Sequence, residues 1–443
     1  MNKKMSRLAA LTLSVATACV PTMVQAQTQG LQQGLQQLYR QADCHNASLT
    51  SLKTAIQAAE AGIETARMSK LPDIEGQASF SYLGNARLWN RKFGESTSAH
   101  MPHYGNNFLL RAEQVVYAGG AIKSSIALAK QQSQMASLNV KDETERVHFM
   151  LTGLYLQLHA LRNQQQVYAT NKALATQQIA LMKHRRQQGV SLQNDITRYE
   201  LQLQQYTLGE TSVTDQQSIL LKQLHTALGT DDAQITLLAE TDFDASAITR
   251  GTEADWQQKA LIEHTSLQKA NLAVDMSRTA EQLAKSDRLP KVALMAEDHL
   301  DGPITIEVPP INKNLNYWFV GVGIRYNFSS LYKSKRKIAE ARLNTAEAQS
   351  KAVVARNGVS DAVHTAYVNL GTAQTELATR EKAVQLALEN YQVVNKRYEN
   401  GLALITDLTD AANMKLEAEL ALTNAKINLV YCFYELKFAC HEL

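Results

Sequence analysis

The chain has 443 residues, of which only 20 are glycine and 7 proline, about half the average usage of the pair, so collagen-like, disordered and turn-rich all-β chains are excluded. Aromatic residues make up 6 % and mean hydropathy is −0.27, too little apolar surface for a polytopic bundle of membrane helices. The 45 basic and 42 acidic residues leave a net charge of +3.

Residues 1–26 read as an export leader. Lys3, Lys4 and Arg7 form a basic start, Leu8 to Val20 an apolar stretch, and Val24-Gln25-Ala26 a small-residue cleavage site. A second reading takes Ala16-Thr17-Ala18-Cys19 as a lipobox acylating Cys19, although its first position wants Leu and holds Ala. Either way the chain is exported. Without the leader the basic and acidic residues balance, so nucleic acid is not an expected partner. Cys44, Cys432 and Cys440 then remain, an odd number with no disulfide framework or zinc spacing. Cys44 and Cys440 could bridge the two ends; the alternative is thiols buried on helices.

The rest of the chain is written twice. At an offset of 212, Ile126-Ala127 falls on Ile338-Ala339, Tyr155 on Tyr367, Gly189 on Gly401 and Asp195 on Asp407. Upstream, Leu71-Pro72 matches Leu289-Pro290 at an offset of 218. The copies span residues 27–229 and 253–443, with a Thr/Asp-rich connector over 230–252.

Each copy opens with a helix of about 35 residues ending at its Leu-Pro. Alternating segments follow, predicting strands at about 73–84 and 108–117 in the first copy and about 291–299 and 316–328 in the second. Tyr82, Tyr104, Phe108, Tyr317, Trp318 and Phe319 gather at the loop-side ends, where an interfacial aromatic girdle belongs. His100 and His103 in the first loop lack a third metal ligand. A helix of about 70 residues comes next, reaching about 105 Å. Its seam steps Val147, Leu151, Leu154, Leu158, Leu161, a heptad pattern that smaller residues, Val359, Val363, Ala366 and Leu370, repeat in the second copy. The bend glycines Gly189 and Gly401 then lead into a returning helix of about 40 residues.

Segments of about ten residues suit tilted transmembrane strands, but four strands cannot close a barrel and lipid tolerates no open edge. Three chains resolve this with 12 strands. The expected fold is therefore mainly α with a transmembrane β-barrel, a trimeric 12-stranded barrel on an α-helical barrel.

The two Leu-Pro pairs, Tyr117-Ala118-Gly119-Gly120 at the strand-to-helix junction, the Gly-to-Asp bends and the closing Leu436-Lys437-Phe438-Ala439 resemble the TolC family of outer-membrane efflux proteins along essentially the whole mature chain. Asn327-Phe328-Ser329-Ser330 replaces the usual glycine pair in the second copy. The resemblance implies a homotrimer in the outer membrane that docks with a periplasmic adaptor and an inner-membrane pump. It implies a periplasmic gate at the bends, where Asp407 and Asp410 form rings of carboxylates that attract cations. It further implies that Tyr398 bonds across to the neighbouring hairpin, with Asp195 as acceptor. Family members carry an arginine latch two residues after the bend glycine; here that residue is Ala403, so the ionic part of the lock is missing or supplied elsewhere, with Arg185 and Arg186 as candidates.

Lys333-Ser334-Lys335-Arg336-Lys337 follows a membrane strand and suits headgroups or the lumen mouth better than nucleic acid. No phosphate loop, nucleophile elbow or His-Glu-x-x-His motif occurs, so neither an enzyme nor a cofactor is expected. A periplasmic coiled-coil adaptor or scaffold that never spans a membrane is the competing reading. Two long hairpins and little glycine disfavour it.

Overall fold

The computed structural model describes residues 22–230, 248–307 and 310–443. Residues 1–21 of the expected leader, with Cys19, and most of the expected connector lie outside the described residues. In chain order the first half runs α1 (Thr22–His45), α2 (Ala47–Met68), β1 (Asp73–Tyr82), β2 (Ala86–Trp89), β3 (Ser96–Ala99), β4 (Tyr104–Ala118), α3 (Ala121–Gln187) and α4 (Gln193–Leu228). The second runs α5 (Glu253–Glu263), α6 (Thr265–Ser286), β5 (Lys291–Gly302), β6 (Leu315–Arg325), α7 (Ser330–Glu399) and α8 (Ile405–Cys440).

The single opening helix expected in each half is in fact two. Asn46 leaves the helical region and its carboxamide oxygen caps α2 by accepting from the N–H groups of Ser48 and Leu49. His264, in the same place in the second half, caps α6 by accepting from Ser266 N–H at 3.1 Å. These breaks let α2 stack end to end on α4 and α6 on α8. Asn46 Nδ2 donates to Ala227 O at 2.7 Å across the first junction, and the His441 imidazole meets the Thr265 hydroxyl across the second. Each half thus pairs one unbroken rod, α3 with 67 residues or α7 with 70, against a rod made of two stacked pieces. At 1.5 Å per residue the unbroken rods reach about 100 Å.

Apolar seams hold the rods together. Val147, Leu151, Tyr155 and Leu158 of α3 pack with Leu35 and Leu38 of α1, Leu220 and Leu224 of α4, and Val430 and Tyr434 of α8. The smaller seam of α7, Val359, Val363, Ala366 and Leu370, accepts Ala260 of α5 and Leu429 and Leu436 of α8. No helix among the described residues is long and apolar enough to cross a membrane. The three described cysteines are free; Cys432 and Cys440 are buried and Cys44 is exposed, so the chain ends are not bridged.

At one end the rods lead into an antiparallel sheet of order β1-β4-β5-β6. β4 and β5 run beyond their expected ends, whereas β6 stops at Arg325, before Tyr326 and Phe328. The first loop holds a short hairpin, β2–β3, that its polar sequence does not announce; the Asn90 side chain closes its turn by accepting from Lys92 and Gly94 N–H.

Strand register sorts the sheet into two faces. Ile74, Phe80, Tyr82, Phe108, Leu110, Leu294, Trp318, Val320, Val322 and Ile324 share one, and all of these but Phe108 are exposed. Glu75, Gln77, Arg111, Glu113, Glu297 and His299 share the other. Tyr317, opposite His299 and stacked on it at 4.6 Å on the polar face, departs from the expected girdle, and so does Phe319. The latter lies opposite Glu297, on the polar face, and stacks with His299 at 6.4 Å, because adjacent strand residues point to opposite faces.

Candidate functional site

At the end farthest from the sheet, α3 turns into α4 through Gly189 and α7 into α8 through Gly401. Both glycines adopt φ near +75°, +77° and +72°, the left-handed conformation in which a side chain is strained. The exposed apolar pairs Val190, Leu192 and Leu402, Leu404 follow them. The helices that restart here carry an acid at the same position, Asp195 in α4 and Asp407 in α8. A carboxylate there suits the unsatisfied N–H groups and positive end of a helix dipole.

The two acids are used differently. Asp407 Oδ2 accepts from its own Leu404 N–H at 3.0 Å, a helix cap, and is exposed together with Asp410. Asp410 lies one turn further along the same side of α8, so the pair presents two stacked carboxylates. Asp195 instead faces the Tyr398 phenol at the end of α7, near enough for its charge to act on the ring hydroxyl. Partial burial first, then the neighbouring Asp195 charge, holds the Tyr398 phenol above its ordinary pKa. Tyr398 and Asp195 therefore face each other across the two hairpins of one chain.

Arg185 provides the second tie. Its guanidinium donates to the carbonyl of Glu399, next to Tyr398, while Arg186 turns back to Gln193 in its own hairpin. Arg185 thus reaches the opposite hairpin through a charge-assisted bond to a backbone carbonyl.

Above these ties the four helices enclose an apolar cluster of Ile179, Met182, Ile196, Tyr199, Ile405 and Leu408. Polar rungs that sequence reasoning missed cross it. Gln178 Nε2 donates to Asn395 at 3.0 Å, and Gln202 Nε2 to Asn413 at 2.5 Å. Highest is a buried triad: Lys415 Nζ donates to Asn171 Oδ1 at 3.1 Å, Asn171 Nδ2 to Glu419 at 2.8 Å, and Lys415 lies 3.3 Å from Glu419. The Lys415 side chain is 8 % exposed and sits over the Tyr391 ring. Only the breaks in the apolar seam at these positions signalled it. No cluster that could hold a metal ion occurs among the described residues; the His100 and His103 rings meet edge to face, and His103 also bonds the Leu83 carbonyl through Nδ1 and stacks on Tyr82.

The outer membrane efflux protein family model matches residues 38–230 and 256–436. The outer membrane protein TolC of Vibrio cholerae serotype O1 is 22 % identical over 450 residues, covering 99 % of this chain and 96 % of the relative. Among solved structures, the outer-membrane channel OprN superposes with a TM-score of 0.76 at 15 % identity, covering 95 % of this chain and 92 % of its own. The outer membrane protein VceC of Vibrio cholerae gives 0.75 at 13 % identity, covering 92 % and 96 %. With sheet, rods and paired bends in this arrangement, the chain belongs to the outer membrane efflux protein family, the exit ducts of efflux systems in the Gram-negative outer membrane.

Proposed function

We propose that three copies of the chain close their sheets into a single 12-stranded barrel above a periplasmic helical tube, and that the paired bends are its gate. The two sheet edges carry the argument. β1 and β6 each pair on one side only, and an apolar face ending in unpaired strands is stable in lipid only when another copy completes the ladder. Below the sheet, exposed Leu201 and Leu208 on α4 and Leu343 and Val354 on α7 supply apolar faces for the same neighbours.

In the trimer Asp407 and Asp410 form two rings of three carboxylates at the periplasmic mouth and favour cations. Tyr398–Asp195 and Arg185–Glu399 hold the hairpins in the closed arrangement, and opening breaks them. The tip residues offer no means of driving transport. A periplasmic adaptor therefore engages the tip, and an inner-membrane pump supplies the energy.

Single-channel recording in planar bilayers tests this reading. The wild type is expected to show small cation-selective openings, and Asp407→Ala/Asp410→Ala to lose roughly tenfold in cation-over-anion preference. A detergent-extracted protein that never conducts would sink the duct; unchanged selectivity in the double variant would move the gate elsewhere.

A further inference from the structure

The junction between sheet and rods holds a concentration of positive charge that the tip does not explain. Lys291 and Arg325 are partners on the last rung of the β5–β6 ladder, on the polar face shared with Glu297. Lys333 and Lys337 lie one turn apart in the first two turns of α7, on one side of that helix. All four line one cavity of about 470 Å³, together with Asp287 and Asn327. Asp287, its sole carboxylate, is engaged by Lys337 at 2.7 Å. Lys291, Arg325 and Lys333 make no ion pair among the described residues, and the first turn of α7 carries no acid. Elsewhere cations pair where a carboxylate lies in reach, as Lys172 does with Glu210 and Lys269 with Asp142. Three cations left together in a cavity repel one another unless an anion enters.

We propose that this cradle is an anion-binding site in the wall of the duct, at the waist where barrel meets helical tube. It takes multiply charged phosphate, sulfate or carboxylate groups. The ligand chemistry follows from the donors: a guanidinium fork for two oxygens, ammonium groups for the remaining charge, and the Asn327 carboxamide beside them. That the cradle faces the lumen rests on the trimeric barrel proposed above, since Lys291 and Arg325 share the face that barrel closes around. Anionic cargo that has passed the carboxylates of the tip meets there a surface of opposite sign.

Calorimetric titration of the detergent-solubilised trimer with inorganic triphosphate, at low ionic strength and without divalent metal, tests the proposal. Three equivalents per trimer should bind, more weakly as salt rises. Lys291→Gln/Arg325→Gln/Lys333→Gln should weaken binding roughly tenfold or more, whereas Lys333→Arg should retain it. No binding by the wild type, or equal binding by the triple variant, would overturn the site. A phosphatidylglycerol arm separates the two sources of phosphate: lipid added to the micelle should not displace triphosphate, and displacement would put the cradle on the lipid side and overturn the lumenal assignment. Conductance of the same preparations keeps the two readings apart. A wild type that binds triphosphate but never conducts would refute the duct and leave the binding site standing.

Discussion

Gly229 and His441 occupy the same position in the two halves, each ending a returning helix in the left-handed conformation, at φ +73° and +64°. Only the first must be glycine. A Cβ at Gly229 would lie 2.2 Å from the carbonyl oxygen of His45, backbone that cannot step aside, because α2 stacks on α4 there. Gly229→Ala should cost about 3 kcal/mol in thermal unfolding of the detergent-solubilised protein. Gly120→Ala, also at positive φ but with open space around it, should cost about 1 kcal/mol. Equal losses would mean that strain alone, and not the stacked junction, sets the requirement.

Glu145 makes the pH dependence of this region calculable in sign. Burial pushes its carboxyl up to about 7, against the Leu443 N–H bond and the Lys141 charge that pull it down. The folded chain therefore keeps a proton that the unfolded chain releases at a lower pH. Its stabilising share is complete below the ordinary carboxylate range and is lost as pH rises towards and through 7, by about 2 kcal/mol. Denaturant unfolding of wild type and Glu145→Gln between pH 5 and pH 8, roughly that window, should give curves that diverge with pH, the variant losing less. Parallel curves would show that Glu145 ionises in the folded state as it does in water.

At the scale of elements, the tie between hairpins is graded from tip to middle. Tyr398–Asp195 and Arg185–Glu399 lie beside the solvent-exposed bends, where water can replace a broken bond at little cost. The Lys415–Asn171–Glu419 triad lies deeper and cannot open without stranding a charge. Lys415→Ala should therefore destabilise by about 3 kcal/mol, while Lys415→Met/Glu419→Gln should fall within about 1 kcal/mol of wild type. Chemical unfolding measures both. If the single and double variants lose the same stability, the triad is not coupled and the division into loose tip and fixed middle fails. Asp195, Tyr398, Asp407 and Asp410 were legible as residue types at a bend, and the spacing of Asp407 and Asp410 places them on one side of α8. That Asp407 spends one oxygen capping Leu404 was not legible: a carboxylate in the first turn of a helix does not by its type say which donor it takes.

At the scale of the whole molecule, each half leaves apolar surface that no element of the same chain covers. On the sheet Trp318, Val320 and Val322 are 72 %, 72 % and 65 % exposed, and on the rods Leu208 and Leu343 are both 71 % exposed. The sheet face suits lipid, but apolar residues on the rods need a neighbouring copy. Leu208→Glu/Leu343→Glu should thus convert the proposed trimer to monomer in detergent, read by light scattering coupled to size exclusion. A trimer that survives both charges would move the contact to other faces of α4 and α7.

Periodicity, repetition and punctuation were sufficient for the broad plan. The heptad steps from Val147 onward, the Leu-Pro stops and the alternation from Trp318 to Ile324 are local, and each reflects which side of a helix or strand must leave water. Three outcomes were decided only by tertiary structure. The opening helices break at Asn46 and His264 because their ends must stack on Ala227 and Thr265–His441, partners some 180 residues away. Phe319 stands opposite Glu297 and stacks on His299 because the pairing of β6 with β5, residues some 20 positions apart, sets that register. The cradle of Lys291, Arg325, Lys333 and Lys337 forms because a ladder end and a helix start are brought to one cavity. Each depends on which distant elements meet, and a pattern of near neighbours carries no information about that.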